Sequence, residues 1–249
     1  MNAASSGAAW RGILGGVLLL VTWEASARGF ALPAYTLPAV SDVIGAIWTH
    51  RNVLLPAAQF TVIEALSGYV IGSAIGIAIA VILALAPPLR GSVMPVIMAI
   101  NSVPVAAYSP LVLLWFGIGM ASKVVMVALA VGFTVFLSAL AGFDRVDRRS
   151  VDLMRSFGAG RLAILWRLRL PAALPLIAAG MRVSTVRSLI VAIVTEMLGA
   201  YGGLGWIIYQ AVVQIDFVQV WSAIFVASAL SLAFFGAVGA IERRVIFWR

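Results

Sequence analysis

Six apolar runs, each roughly 17–25 residues long and so able to cross a bilayer as a helix, recur along this chain. They fall at about residues 12–27, 60–86, 93–116, 123–143, 172–199 and 217–241. No soluble fold needs so many continuous apolar segments. Composition agrees: 63% of the 249 residues are hydrophobic and 10% charged, with a mean hydropathy of +1.09. Too few charges remain to clothe a soluble domain of this size. The expected fold is all-α, a polytopic membrane protein with about six transmembrane helices in one domain over 1–249, its core about 60–241.

The net charge of +8 does not indicate nucleic acid. The basic residues cluster at the ends of the apolar runs, where the positive-inside rule places them. Seven arginines (Arg145, Arg148, Arg149, Arg155, Arg161, Arg167 and Arg169) fall between the fourth and fifth runs. That connection is therefore expected in the cytoplasm. Alternation then puts both termini and the Arg90 turn inside, and the connections holding His50, Lys123 and Asp216 outside. Arg11, the apolar run after it and Ala25-Ser26-Ala27 loosely imitate a secretory leader. Its removal would leave the order of the remaining spans unchanged.

The chain has no cysteine and one histidine, His50. Thiolate chemistry, disulfides and His-based metal sites are excluded, and no metal ligand set is expected. His50, beside Arg51, reads as a solvated residue of a polar connection. No Walker-type phosphate loop is present, because Gly203-Leu-Gly205 lacks the following Lys-Ser/Thr. No set of catalytic side chains suggests an enzyme.

Three features of the spans carry further expectations. Gly68, Gly72 and Gly76 recur every four residues and form either a smooth packing stripe or scattered membrane glycine. Pro95, Pro104 and Pro110 interrupt the third run, so Asn101, Ser102, Tyr108 and Ser109 are candidates to line an unwound stretch or a translocation path. Ionisable Arg182, Arg187 and Glu196 lie on the fifth run. A charge at mid-bilayer costs about 2.5–3.5 kcal/mol on insertion scales, so such groups face protein or water. Arg187, the deepest, is expected to meet either the translocation cavity or a carboxylate, with Glu64 the proposed ion-pair partner. Glu24 reads as interfacial.

Residues 145–171 are too long for a turn and too patterned for a linker. Ser150 is a candidate helix cap with Asp152 in the first turn. Leu153, Phe157, Leu162, Leu165 and Trp166 recur at helical spacing between arginines. Gly158 and Gly160 divide the segment into two short helices, and Pro171 is expected to end the second. A basic amphipathic element of this kind either lies on anionic lipid or docks into a groove of a cytoplasmic partner.

The segment resembles the EAA loop of binding-protein-dependent ABC importer permeases. The family pattern is Glu-Ala-Ala, three residues, Gly, nine residues, Ile, one residue, then Leu-Pro. Asp152 holds the Glu place, Gly158 the Gly place and Leu168 the Ile place, followed by Leu170-Pro171. Asp for Glu, and Leu153-Met154 for the two alanines, are the departures. Pro104 with Ser109-Pro110 through Trp115, Gly117 and Gly119 resembles the third-span signature of nitrate/sulfonate/taurine-type permeases. Gly180-Met181-Arg182 with Arg187, and Glu196-Met197-Leu198-Gly199 with Gly203-Leu204-Gly205, resemble it too. Relatives more often carry a basic residue at the position of Glu64.

The resemblance implies a MetI-like permease subunit of the bacterial cytoplasmic membrane, working as two copies. It implies two cytoplasmic ABC ATPase subunits on the coupling loop, which bind ATP and Mg and leave this chain without a cofactor. It also implies an extracytoplasmic solute-binding protein. ATPase-coupling residues would be Asp152, Leu153, Phe157, Gly158, Leu162, Leu168, Leu170 and Pro171. A sulfonate, taurine, nitrate, an aromatic carboxylate, a flavin or a vitamin precursor all fit as solute. A secondary transporter or channel independent of an ATPase is the alternative from another class, and an intramembrane enzyme a more distant one.

Overall fold

A computed structural model describes residues 3–246. Its regular structure among them is helical: α1 (Ala3–Gly29), α2 (Val40–Thr49), α3 (Arg51–Leu85), α4 (Arg90–Ser102), α5 (Val105–Phe116), α6 (Met120–Asp144), α7 (Arg148–Ser156), α8 (Arg161–Ile164), α9 (Leu170–Leu198), α10 (Leu204–Val213) and α11 (Phe217–Val245). A 3₁₀ turn over Pro87–Leu89 joins α3 to α4, and a π turn over Leu165–Arg169 joins α8 to α9.

Among the described residues four helices are long and apolar enough to cross a membrane: α3, α6, α8–α9 taken together, and α11. The pair formed by residues 87–102 and α5 adds a fifth if the bent element counts as one span. The sixth expected span, α1, is continuous over 27 residues but is not among them. Arg11 and Glu24 bracket an apolar stretch of only a dozen residues within it. The second span also begins earlier than expected, at Arg51 instead of 60, with Pro56 accommodated inside the helix. At about 1.5 Å per residue α3 is roughly 52 Å long, well beyond the hydrocarbon thickness. His50 caps the junction of α2 and α3, half-buried, its Nδ1 3.1 Å from the Ala46 carbonyl.

The bend in the third span falls at Pro104 and not at Pro95 or Pro110, which lie inside α4 and α5. Val103, just before Pro104, is extended (φ −79°, ψ 124°), as steric clash with a following proline ring demands. Residues 87–102 and α5 meet there at 97°.

Helices α3, α6 and α9 form the centre. The glycine stripe of α3 is what lets α6 approach. A side-chain carbon added at Gly72 would meet the Ala128 backbone, and one at Gly76 the backbone of Gly132 and Phe136. Gly132 answers from α6 against Gly72. Small residues replace the hydrophobic effect as the means of association here, because lipid tails are as apolar as leucine and only close backbone approach gains dispersion energy. Three apolar clusters run through the bundle. Val131, Val135 and Leu189 centre one, Leu54, Leu204 and Ala223 a second, and Phe136, Phe143 and Ile177 a third. Outward leucines, isoleucines and valines on α3, α9 and α11 remain exposed, as a lipid-facing surface requires.

Candidate functional site: the coupling segment and the intramembrane cavity

The basic segment folds as two short helices braced against the bundle. Asp147, not Ser150, caps α7: its Oδ1 accepts the Arg149 N–H at 3.2 Å. The helix thus starts at Arg148, because an aspartate three residues ahead of Ser150 already satisfies the first turn. At the other end Gly158 adopts φ +82°, and two bonds close the helix. The Gly158 N–H donates to Arg155 O (2.8 Å) and the Ala159 N–H to Met154 O (3.0 Å). This is a Schellman stop, whose left-handed residue is normally glycine because a Cβ there crowds the backbone.

Beyond it, Pro171 does not terminate a helix. Residues Arg161–Leu198 run as one 38-residue rod through the π turn. Proline lacks an N–H and its ring crowds the carbonyl one turn back, and a locally widened turn relieves that strain without breaking the rod. The second half of the segment is therefore rigidly continuous with α9.

Two faces of the segment differ sharply. Val151, Ile164 and Leu165 are buried against the bundle, with Leu168, Leu170 and Pro171 half-buried. Arg169 Nη1 donates to Ala84 O at the end of α3 (3.0 Å). Nearby, Arg90 grips Asp144 through two bonds of 2.9 and 2.8 Å, tying the α3–α4 turn to α6. On the opposite face Leu153, Phe157, Leu162 and Trp166 are 59%, 81%, 61% and 64% exposed. Asp152 is exposed beside them and pairs with Arg155 of its own helix (3.3 Å).

Within the bundle a cavity of about 370 Å³ lies beneath the elbow between α4 and α5, walled by α3 and α6. Asn101, Tyr108 and Arg187 reach it. Ser102 is exposed and donates to Ala99 O instead, while Ser109 is buried and donates to Ala106 O. Arg187 Nη1 donates to Thr134 Oγ1 at 3.2 Å.

The expected Arg187–Glu64 pair does not form. Arg187 and Glu196 are nine residues apart on α9, which at about 100° per residue sets them on opposite faces. Glu64, fully buried on α3, lies on the Glu196 side, beside that carboxyl and near the ammonium of Lys123. Lys123, expected at an outer connection, is fully buried. Its Nζ donates to the carbonyls of Ile118, just past α5, and Gly199, the C-cap of α9. A cation at two helix C-termini meets the negative ends of both dipoles.

Glu196 explains the Glu-Met-Leu-Gly…Gly-Leu-Gly run. Its Oε2 accepts the Gly205 N–H at 2.7 Å, and Thr61 Oγ1 accepts the Leu204 N–H at 2.9 Å. Together they cap the N-terminus of α10. Gly203 (φ +97°) has no room for a Cβ against the Glu196 carboxylate, nor has Gly205 against the Ile193 carbonyl. The motif is a tight return from α9 into a short buried helix. Arg182, by contrast, turns to α11: it lies 3.7 Å from Glu242 and its guanidinium 4.4 Å over the Phe235 ring. Lys123, Thr61 and Glu242 escaped the sequence reading, since each gains its role only from helices distant in the chain.

Known proteins agree with this architecture. The family described as "Binding-protein-dependent transport system inner membrane component" matches residues 72–247. A probable ABC transporter permease protein of Haemophilus influenzae is 31% identical over 232 residues, covering 93% of this chain and 94% of that one. The taurine transport system permease protein TauC of Escherichia coli is 30% identical, covering 93% and 86%. Among solved structures, a bacterial ABC transporter involved in import of the acidic polysaccharide alginate aligns with a TM-score of 0.66 at 16% identity, covering 95% of this chain and 98% of that one. A bent third span, a small-residue-packed helical centre and a braced amphipathic segment continuous with α9 thus belong to a member of the binding-protein-dependent transport family, the membrane-embedded permease subunits of ABC importers.

Proposed function

We propose that this chain, as a single transmembrane domain, forms the path by which a small solute enters the bacterial cytoplasm, energised by ATP hydrolysis in a partner. Two ATPase subunits dock on the coupling segments of two permease copies, and an extracytoplasmic binding protein delivers the solute. Both termini and the coupling segment face the cytoplasm. The solute is a small organic or inorganic compound such as a sulfonate, taurine, nitrate or a vitamin precursor; the similarity to the taurine permease supports that range.

The exposed row Leu153, Phe157, Leu162 and Trp166 carries the reading. It stands opposite an anchored face, and its second half, Leu162 and Trp166, lies on the rod that continues as α9, so a push there is delivered to the membrane without a flexible joint. Large apolar side chains left in water at this density mark a contact surface. Asp152 and Gly158 then act as part of the docking element, the aspartate at its polar rim and the glycine as the turn between its two helices.

The test is affinity purification of the tagged chain from its native membrane. An ABC ATPase in the eluate, lost on Leu162→Asp while the permease stays in the membrane, is the expected result. Solute uptake without any associated ATPase would assign the chain to secondary transport instead.

A further inference from the structure

Resting on the permease reading, we propose that the cavity beneath the α4–α5 elbow is a binding site for an organic anion, held at its charged head by Arg187 and along its apolar body by the walls of α3 and α6. The sign of the ligand follows from what lines the space. Among the described residues the polar groups reaching it are Arg187, Tyr108 and Asn101, and no carboxylate does. Glu64 of α3 and Glu196 of α9 lie instead beside Lys123, on the side of α9 opposite Arg187. No carboxylate among the described residues pairs with Arg187. Among the described residues its side chain donates to the neutral hydroxyl of Thr134.

A guanidinium carries five N–H donors in a planar fork that matches the two oxygens of a carboxylate, sulfonate or phosphonate. One donor is spent on Thr134, so the fork remains largely open toward the cavity. Tyr108 lines the same cavity as Arg187 and can donate its hydroxyl to the same oxyanion. Ile75, Val105 and Phe133 supply apolar wall. A site with one cation and mostly hydrocarbon favours an anion with an apolar body and disfavours a cation. The volume of about 370 Å³ admits a small organic acid.

The chain is free of cysteine, so single cysteines report cleanly. Ile75→Cys and Phe133→Cys, each placed alone, would be reacted in nanodisc-held permease with two methanethiosulfonates of similar size, one carrying a sulfonate and the other a trimethylammonium. The sulfonate reagent is itself an organic anion and serves as the probe. We expect it to react faster at both positions, relative to a cysteine at lipid-facing Leu232, and butanesulfonate but not choline to slow it. Arg187→Gln should lower the anion-to-cation rate ratio by about tenfold and Arg187→Lys by much less, as loss and retention of one nearby charge require. An unchanged ratio in Arg187→Gln overturns the proposal. So does failure of both cysteines to react, or their spontaneous disulfide pairing between two permease copies, which would assign the cavity to a subunit contact. ATPase copurification, measured on the same preparations, judges the permease reading separately: its presence with an unchanged ratio refutes the anion site alone.

Discussion

Phe157→Ala isolates the docking surface from the fold. The ring is 81% exposed, so little of its packing serves this chain. A phenylalanine presents about 200 Å². About 160 Å² is therefore free to be covered by a partner, equivalent to some 4 kcal/mol at about 25 cal/mol per Å². Alanine retains part of that area, leaving a loss of about 2–3 kcal/mol, or roughly a 30- to 150-fold weaker complex. Val151→Ala supplies the contrast: that side chain is buried beneath α7 and should destabilise the segment's seat on the bundle before it touches the partner. Leu232→Ala, 72% exposed on α11, should affect neither, since lipid covers it. Affinity would be read by titrating purified ATPase onto nanodisc-held permease, with the melting temperature of the permease measured in parallel. Phe157→Ala should lower affinity and leave the melting temperature unchanged. An affinity within twofold of the unaltered chain would refute the reasoning and leave α7 as a helix resting on lipid headgroups.

Gly72→Val should force α3 from α6, since even a Cβ meets the Ala128 backbone; overpacking costs about 1–3 kcal/mol, seen as a lower melting temperature in detergent, whereas Gly236→Ala on open α11 should be neutral. Thr61→Val removes the acceptor of the buried Leu204 N–H at a cost of about 1–2 kcal/mol, and amide exchange across α10 should accelerate about tenfold while α6 is unaffected. Single cysteines at His50, Ser150 and Asp216 should label from outside intact cells at the first and third and not at Ser150; the reverse pattern would invert the topology.

The sequence by itself determined what depends on neighbours along the chain. Apolar length set α6, α9 and α11 close to their observed extents, because a helix in lipid must satisfy its own backbone whatever surrounds it. The Gly158 break was legible for the same reason, as a glycine supplies a left-handed stop locally. The site of the third-span bend was narrowed to three prolines, and the pre-proline restriction at Val103 is local too. The helix cap differs from the expectation at Ser150: Asp147 and Ser150 are comparable caps by residue type, and Asp147, three residues earlier, already accepts the Arg149 N–H of the first turn. Tertiary structure decided everything set by rotation about a helix axis. Depth along α9 suggested that Arg187 could meet Glu64, yet rotation puts Arg187 at the cavity and Glu196 on the Glu64 side. Lys123 looked like an ordinary residue at a membrane edge until the ends of α5 and α9 closed over it. The charge of a side chain is written in the sequence, but its partner is chosen by which face of its helix the neighbouring helices cover, and that choice is made by packing across long separations in the chain.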